Sequence, residues 1–351
     1  MIQGHKNICI CGGGNEAHAL AAMLSISGHS INIFTRNPLK WNKSIIVNDS
    51  VSDKSVKSGN IYASDKASEV IPGSDLVLIS VPSFAYDDIL YKISKYLSFN
   101  TIVGALPGTG GFNYFCEKHL NPEITYFSSQ RVPFVARTQI YGHSVDISGY
   151  AHGAMKYAVS NEEESSLILS IMKNLLKMES KYLPHFLCID LVNSNSLLHT
   201  TRLFSLGKQG ETWNKIPLFY GEWDNNSSEL FIETDKELFN LFKNIPEIDF
   251  SSITRVLDHY ESNSPQELTR KIRSIKSLNQ LKTPMLAMEG KYKLDFSSRY
   301  FTEDFPYGIA LMAVISNNYE VNSEKINLIA NWGLNAIGKD VEYVKNLFDF
   351  K

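Results

Sequence analysis

The segment Asn7-Ile8-Cys9-Ile10-Cys11 is short and apolar and runs directly into Gly12-Gly13-Gly14-Asn15-Glu16-Ala17, after which apolar residues recur at helical spacing through Ala19, Leu20, Met23 and Leu24. A strand, a glycine turn and a helix in that order leave few folds open. Gly12, Gly14 and Ala17 fit the G-x-G-x-x-G/A spacing of a dinucleotide loop. In such a loop the first glycine allows a tight turn, the second lets backbone approach a pyrophosphate, and a small third residue lets the helix pack closely on the strand. The amides of the helix start, from Asn15 onward, then face the phosphates.

The rest of the first half repeats this pattern. Ser30–Thr35 predicts a second strand, Ser74–Val81 a continuous buried one ended by Pro82, and Thr101–Leu106 another that stops at Pro107-Gly108. A further strand is expected around Ile124–Ser128, ahead of Gln130-Arg131-Val132-Pro133-Phe134. Strands alternating with helices predict an α/β fold with a doubly wound parallel sheet. Val81, Pro82 and Ser83, with Pro107 and Gly108, stand at strand carboxyl ends, where open parallel sheets bind ligands, and are expected to flank the nicotinamide half of the cofactor. Beyond about Tyr182 strand signals thin out, and Leu191–Leu206, Ile253–Tyr260 and Pro265–Leu278 carry helical spacing. A chain of 351 residues exceeds what one core usually organises. Pro184 is the expected hinge between a dinucleotide-binding Rossmann domain over residues 1–184 and an all-helical domain over residues 185–351. The run Asp224-Asn225-Asn226-Ser227-Ser228 reads as a polar surface loop.

Composition removes other classes. Basic residues number 34 and acidic residues 37, dispersed along the chain, so no footprint for nucleic acid or an anionic membrane surface is present. Cys9, Cys11, Cys116 and Cys188 do not form a disulfide framework or a zinc-type spacing, and packing is the expected role of Cys9 and Cys11; no metal site is expected. The opening Met1-Ile2-Gln3-Gly4-His5-Lys6 leads straight into the first strand without a hydrophobic leader, so a cytoplasmic location is expected.

An acidic side chain at the end of the second strand would bond a ribose 2′-hydroxyl and repel a 2′-phosphate. Here the strand ends Ile33-Phe34-Thr35-Arg36-Asn37, which offers a hydroxyl, a guanidinium and an amide. A guanidinium matches phosphate bidentately, so NADP(H) is preferred, with NAD(H) as the alternative.

The fold half does not name a reaction, and the helical half must supply it. Asn195 and His199 are one helical turn apart on a shared face. Histidine is the usual proton carrier near neutral pH, which makes His199 the candidate acid and base. A carboxylate on the far ring nitrogen would fix its tautomer, and Asp304 and Glu303, in the run Ser298-Arg299-Tyr300-Phe301-Thr302-Glu303-Asp304-Phe305-Pro306-Tyr307-Gly308, are the candidates.

These segments resemble those of the octopine/nopaline (opine) dehydrogenases. Gly12-Gly13-Gly14-Asn15 with Ala17-His18 resembles the family's nucleotide loop, and Gln130-Arg131-Val132-Pro133-Phe134-Val135-Ala136-Arg137 a second family stretch. Asn195-x-x-x-His199 resembles its catalytic-histidine motif, and Arg299-Tyr300-x-x-Glu303-Asp304-x-Pro306-Tyr307-Gly308 is the longest match. The resemblance implies a Rossmann domain followed by a helical one. It also implies reductive condensation of an amino acid with a 2-oxo acid such as pyruvate, through an imine reduced by NAD(P)H. By position, His199 would move the proton, Asp304 orient it and Arg299 hold a substrate carboxylate, with Asn195 beside them and Arg137 and Arg202 as further substrate-binding candidates. The expected partners are thus two small carboxylated substrates, with a homodimer left open. The rival readings are a ketopantoate reductase-like or glycerol-3-phosphate dehydrogenase-like enzyme, for which no lysine stands in a matching motif, and a non-catalytic NADP sensor.

Overall fold

Strand β1 (Asn7–Cys11) is buried on both faces, with Ile8, Cys9, Ile10 and Cys11 all at 0% exposure. That is why its sequence is continuously apolar instead of alternating. The structure, a computed structural model, describes residues 4–251 and 253–350. Met1-Ile2-Gln3, part of the N-terminal opening read above, lies outside the described residues.

The chain divides into two compact units, Met1–Ile189 and Asp190–Lys351. In the first, β1 is followed by β2 (Ser30–Phe34), β3 (Ile46–Asp49), β4 (Lys54–Lys57), β5 (Ile61–Ser64), β6 (Leu76–Ile79), β7 (Ile102–Ala105) and β8 (Tyr126–Ser129). After these come β9 (Phe134–Ile140), β10 (Ser144–Tyr150), β11 (Met155–Val159) and β12 (Ser180–Leu183). Eight of these strands form one sheet in the order β12-β11-β8-β7-β6-β1-β2-β5, parallel except where β11 meets β8. The helices between them are α1 (Asn15–Ile26), α2 (Ala67–Val70), α3 (Tyr86–Ile93), α4 (Phe112–His119) and α5 (Ser165–Leu176), with α6 (Leu187–Asp190) where the unit ends. Each strand expected from the sequence is present, trimmed by a residue or more at its ends in most cases.

A second sheet, β4-β3-β10-β9, was not expected. Its two edge strands are largely exposed: β4 is exposed throughout, and β9 is buried only at Phe134. No clean two-residue alternation marked them for that reason. Helix α1 contacts β1 and β2 on one side and β3, β9 and β10 on the other. Ala17, Ala19, Leu20, Ala21 and Ala22 are all at 0% exposure, so α1 is apolar nearly all round, as a helix buried on every side must be.

The second unit holds α7 (Ser194–Gln209), α8 (Asn225–Lys243), α9 (Val256–His259), α10 (Pro265–Arg273), α11 (Arg299–Thr302), α12 (Ala310–Asn318), α13 (Glu324–Ala336) and α14 (Val341–Leu347). It is helical apart from one hairpin, β13 (Met285–Met288) with β14 (Lys291–Leu294). Glu289 and Gly290 turn that hairpin with positive φ at both positions, the geometry a two-residue loop needs. The stretch Ile253–Tyr260 yields only the single turn α9. The run Asp224–Ser228 is not a surface loop. Asp224 caps α8, its carboxylate accepting from the Ser227 amide at 2.8 Å, and Ser227 and Ser228 are at 0% exposure. Polar N-cap residues look like loop residues in sequence because the same side-chain-to-backbone bonds serve both.

Helix α7 starts where the Asn193 side chain accepts from the Asn195 amide at 3.2 Å, and every residue from Ser196 to Leu206 is buried. Against it packs a wide turn, Phe305–Ile309, in which the Ile309 amide reaches back five residues to the Asp304 carbonyl at 3.1 Å. Pro306, which has no N–H to donate, is tolerated at the start of this turn. Gly308 lets the turn lie directly on α7: a Cβ there would collide with the Ser196 Oγ and come within 2.6 Å of the Ser196 Cβ.

That contact is testable. Gly308→Ala is expected to cost about 1–3 kcal/mol by overpacking, read as a lower urea midpoint at unchanged slope. An unaltered midpoint would show that the turn does not rest on α7.

Candidate active site

The nucleotide loop follows from β1. Gly12 has φ +146°, donates to the Phe34 carbonyl at 3.0 Å, and a Cβ there would run into the Ser80 carbonyl. Gly14 has nothing within 4 Å of where its Cβ would stand, so its backbone is open to a ligand. Ala17 is fully buried beneath the loop. These three residues fit a pyrophosphate at the start of α1.

Asn15, expected among the cofactor contacts, has its side-chain oxygen on the Thr138 amide of β9 at 2.9 Å, so the loop is tied to the second sheet. His18 ties it further. Its Nδ1 meets the Gly14 carbonyl at 2.8 Å and its Nε2 accepts from the Gly142 amide at 2.8 Å, which fixes the neutral Nδ1–H tautomer. Burial lowers the pKa of His18, partly offset by its bond to Gly14. Glu16, in the same turn, is half-buried with one enclosed carboxyl oxygen lacking a partner, and desolvation holds its pKa well above the usual carboxylate range.

Thr35 is buried at the end of β2, whereas Arg36 and Asn37 are exposed. Ser83 is buried and donates to the Thr109 carbonyl at 3.1 Å, so it braces the two loops after β6 and β7; Val81, Pro82 and Pro107 are half-buried. Gly108 is buried against β8, where a Cβ would collide with Ser128.

In the second unit, two distant segments meet. His199 Nδ1 lies 2.8 Å from Asp304 Oδ2, with the two side chains 8% and 14% exposed. A carboxylate accepts only, so Nδ1 carries the proton, and Nε2 of the neutral ring accepts from the Tyr220 hydroxyl at 2.8 Å. Tyr300 packs on the imidazole at 4.3 Å between centroids. Burial raises the pKa of both phenols, so both stay protonated near neutral pH. Of the two carboxylates open from sequence, the structure selects Asp304. Glu303 instead takes Arg299, whose Nε stands 2.9 Å from its Oε2, and the Arg299 side chain remains 67% exposed.

Asn195 is exposed one turn before His199, and Arg137 is exposed on β9, opposite Asp146 of β10. Arg202 does not serve as expected. It is 1% exposed and donates to the Phe219 and Glu222 carbonyls at 3.2 and 2.6 Å and to Asp224 at 2.9 Å. Its guanidinium locks the start of α8 and leaves no face for a substrate. Tyr220 went unnoticed in the sequence because a tyrosine about twenty residues from a histidine carries no periodic signal.

Comparison with known proteins bears on this arrangement. Residues 182–337 match the family model described as NAD/NADP octopine/nopaline dehydrogenase, alpha-helical domain, and residues 7–113 match the NAD-dependent glycerol-3-phosphate dehydrogenase N-terminus. The octopine dehydrogenase of Pecten maximus is 24% identical, over 95% of this chain and 90% of the relative. The tauropine dehydrogenase of Arabella iricolor is 23% identical, over 95% of this chain and 92% of the relative. The chain belongs to the opine dehydrogenase family.

As a member of that family it is an NAD(P)-dependent oxidoreductase acting on CH–NH groups. A solved octopine dehydrogenase with NADH and L-arginine has the same fold, with TM-score 0.82 at 23% identity, covering 94% of this chain and 89% of that one. An NADP+-bound yersinopine dehydrogenase superposes with TM-score 0.72 at 11% identity, over 98% of both chains. Among the described residues, no helix of this chain is long and apolar enough to cross a membrane.

The depressed pKa of His18 gives a pH test. Its stabilisation is present in full above the unfolded value near 6.5 and is lost as pH falls from there through the lower folded value, because protonation removes the acceptor for the Gly142 amide. The stability advantage of the native chain over His18→Phe is expected to shrink as pH drops from 7.5 to 5 in urea unfolding. An advantage that is constant with pH would contradict the neutral, doubly bonded ring.

Proposed function

We propose that this chain joins the amine of an amino acid to the keto carbon of a 2-oxo acid such as pyruvate, with loss of water, and reduces the resulting imine. The products are an N-(carboxyalkyl)amino acid and oxidised cofactor. The dinucleotide-binding role falls to residues 1–184 and the catalytic role to residues 185–351. When bound, NAD(P)H supplies the hydride. The chain's own residues supply protons and orientation.

The observation that carries this reading is the imidazole of His199 held at both nitrogens, by Asp304 on Nδ1 and Tyr220 on Nε2. Condensation needs a proton for the departing water, and reduction leaves an amine nitrogen that must be protonated in step with hydride arrival. His199 Nε2 is the atom that gives and takes that proton, and Asp304 stabilises the imidazolium formed in between. Two carboxylated substrates call for cations. Arg299, with two-thirds of its side chain exposed, is proposed for one carboxylate, with Asn195 as a neighbouring donor. Arg137 is proposed for the second carboxylate. For the cofactor, Gly12, Gly14 and Ala17 hold the pyrophosphate, Val81, Pro82, Ser83, Pro107 and Gly108 flank the nicotinamide half, and Thr35, Arg36 and Asn37 take the adenosine ribose. The absence of an acid from Thr35-Arg36-Asn37 supports NADPH over NADH.

Purified protein given NADPH, pyruvate and a panel of amino acids is expected to oxidise cofactor only when both substrates are present. His199→Ala and Asp304→Asn should each lower turnover by roughly two to four orders of magnitude, with the dissociation constant for NADPH within about twofold of native by the same reasoning. Oxidation with keto acid alone would replace this reading with that of a hydroxy-acid dehydrogenase.

A further inference from the structure

The dinucleotide fingerprint fixes Gly12, Gly14 and Ala17 and leaves the position between the two glycines open. Here that position is also glycine, and the phosphates do not explain it. A Cβ on Gly13 would run into the hydroxyl of Tyr141 and stand 3.1 Å from Thr35 Oγ1. Tyr141 comes from the turn between β9 and β10 of the second sheet, far along the chain from the loop it covers.

Three independent restraints hold it there. The Gly142 amide is bound by His18. Gly142 itself, at φ +72°, fits so closely against the Lys40 carbonyl that no side chain is admitted, and its own carbonyl accepts from Asn42 at 3.0 Å. The ring packs edge-on to His18 at 5.0 Å and to Trp41 at 5.9 Å between centroids, while His18 and Trp41 stack at 4.3 Å.

Although the ring is fixed, the hydroxyl is loosely held. It lies 3.3 Å from Thr35 Oγ1 and 3.4 Å from Trp41 Nε1, both long beside the ~2.7–3.0 Å of a committed bond. Trp41 is a donor only and each hydroxyl has one proton, so three donor hydrogens serve two internal bonds and one O–H is left over. This donor-rich cluster contains no carboxylate, and it stands on the residue following β2, where an acid would otherwise meet the ribose 2′-oxygen.

We propose that Tyr141 reads the 2′ substituent of the adenosine ribose, its hydroxyl donating to a 2′-phosphate, and that Gly13 is glycine to make room for it. This rests on the dinucleotide site of the preceding subsection and adds a residue from the second sheet to it. Since one O–H is surplus and Arg36 is exposed next to Thr35, an anionic acceptor satisfies the cluster better than a second hydroxyl does.

The test is calorimetric titration of the full chain with 2′-phospho-ADP-ribose and with ADP-ribose, which needs no turnover. Tyr141→Phe is expected to weaken the 2′-phosphorylated ligand by about tenfold, the worth of a hydrogen bond to a charged group, and to leave ADP-ribose within about twofold on that basis. Gly13→Ala, which displaces the hydroxyl without removing it, should give the same selective loss. Equal weakening of both ligands, or no change in either, in a Tyr141→Phe protein of native circular dichroism would overturn the proposal. If the native chain prefers ADP-ribose, the NADPH reading fails by itself; Tyr141 is still supported if its loss weakens the 2′-phosphorylated ligand selectively, and overturned if it does not.

Discussion

The chemistry proposed for this protein depends on an imidazole that has no freedom to rotate. His199 sits on a helix buried along nearly its whole length, and each ring nitrogen meets a partner at 2.8 Å. Those partners come from separate parts of the chain: Asp304 from the residue that opens a wide helical turn, and Tyr220 from the loop before α8. Arg202 and Asp224 pin the start of α8, and Gly308 seats the wide turn on α7. Much of the second unit is thus arranged to keep one ring in one tautomer, as the proposed proton transfer requires.

The first unit solves a related problem with backbone. Its nucleotide loop needs amides that point outward and stay put, and the side chains of Asn15 and His18 turn inward to the second sheet to hold them. A buried histidine serves here as a neutral spacer with one donor and one acceptor, a role opposite to that of His199. The two histidines show why residue type alone does not single out a candidate proton carrier. Both are buried and both are bonded at two nitrogens, but only one is bonded to a carboxylate.

What the sequence revealed and what it hid follow from the range of the interactions. Continuous apolar runs mark β1 and β6 because both faces of those strands are covered, and the glycine spacing is local, so the Rossmann half was legible. The helical half was legible as helical, and the long Arg-Tyr-x-x-Glu-Asp motif carried Asp304 with it. The second sheet was not, since its edge strands β4 and β9 are largely exposed, and its parallel pairing of β3 with β10 joins residues about a hundred positions apart. Asp224 was misread as loop because capping chemistry and turn chemistry use the same side chains. Arg202 was misread because whether an arginine faces a substrate or a carbonyl is decided by tertiary contacts. Tyr220 and Tyr141 were invisible for the same reason.

The central claim concerns a single proton, and it is read most directly by proton–nitrogen correlation spectra of protein labelled with 15N-histidine, with the His199 signals assigned by their loss in His199→Gln. At a pH where the ring is neutral, the account predicts a protonated Nδ1 with a strongly downfield proton and a bare, hydrogen-bonded Nε2. A ring protonated at Nε2, or one averaging between tautomers, would contradict it.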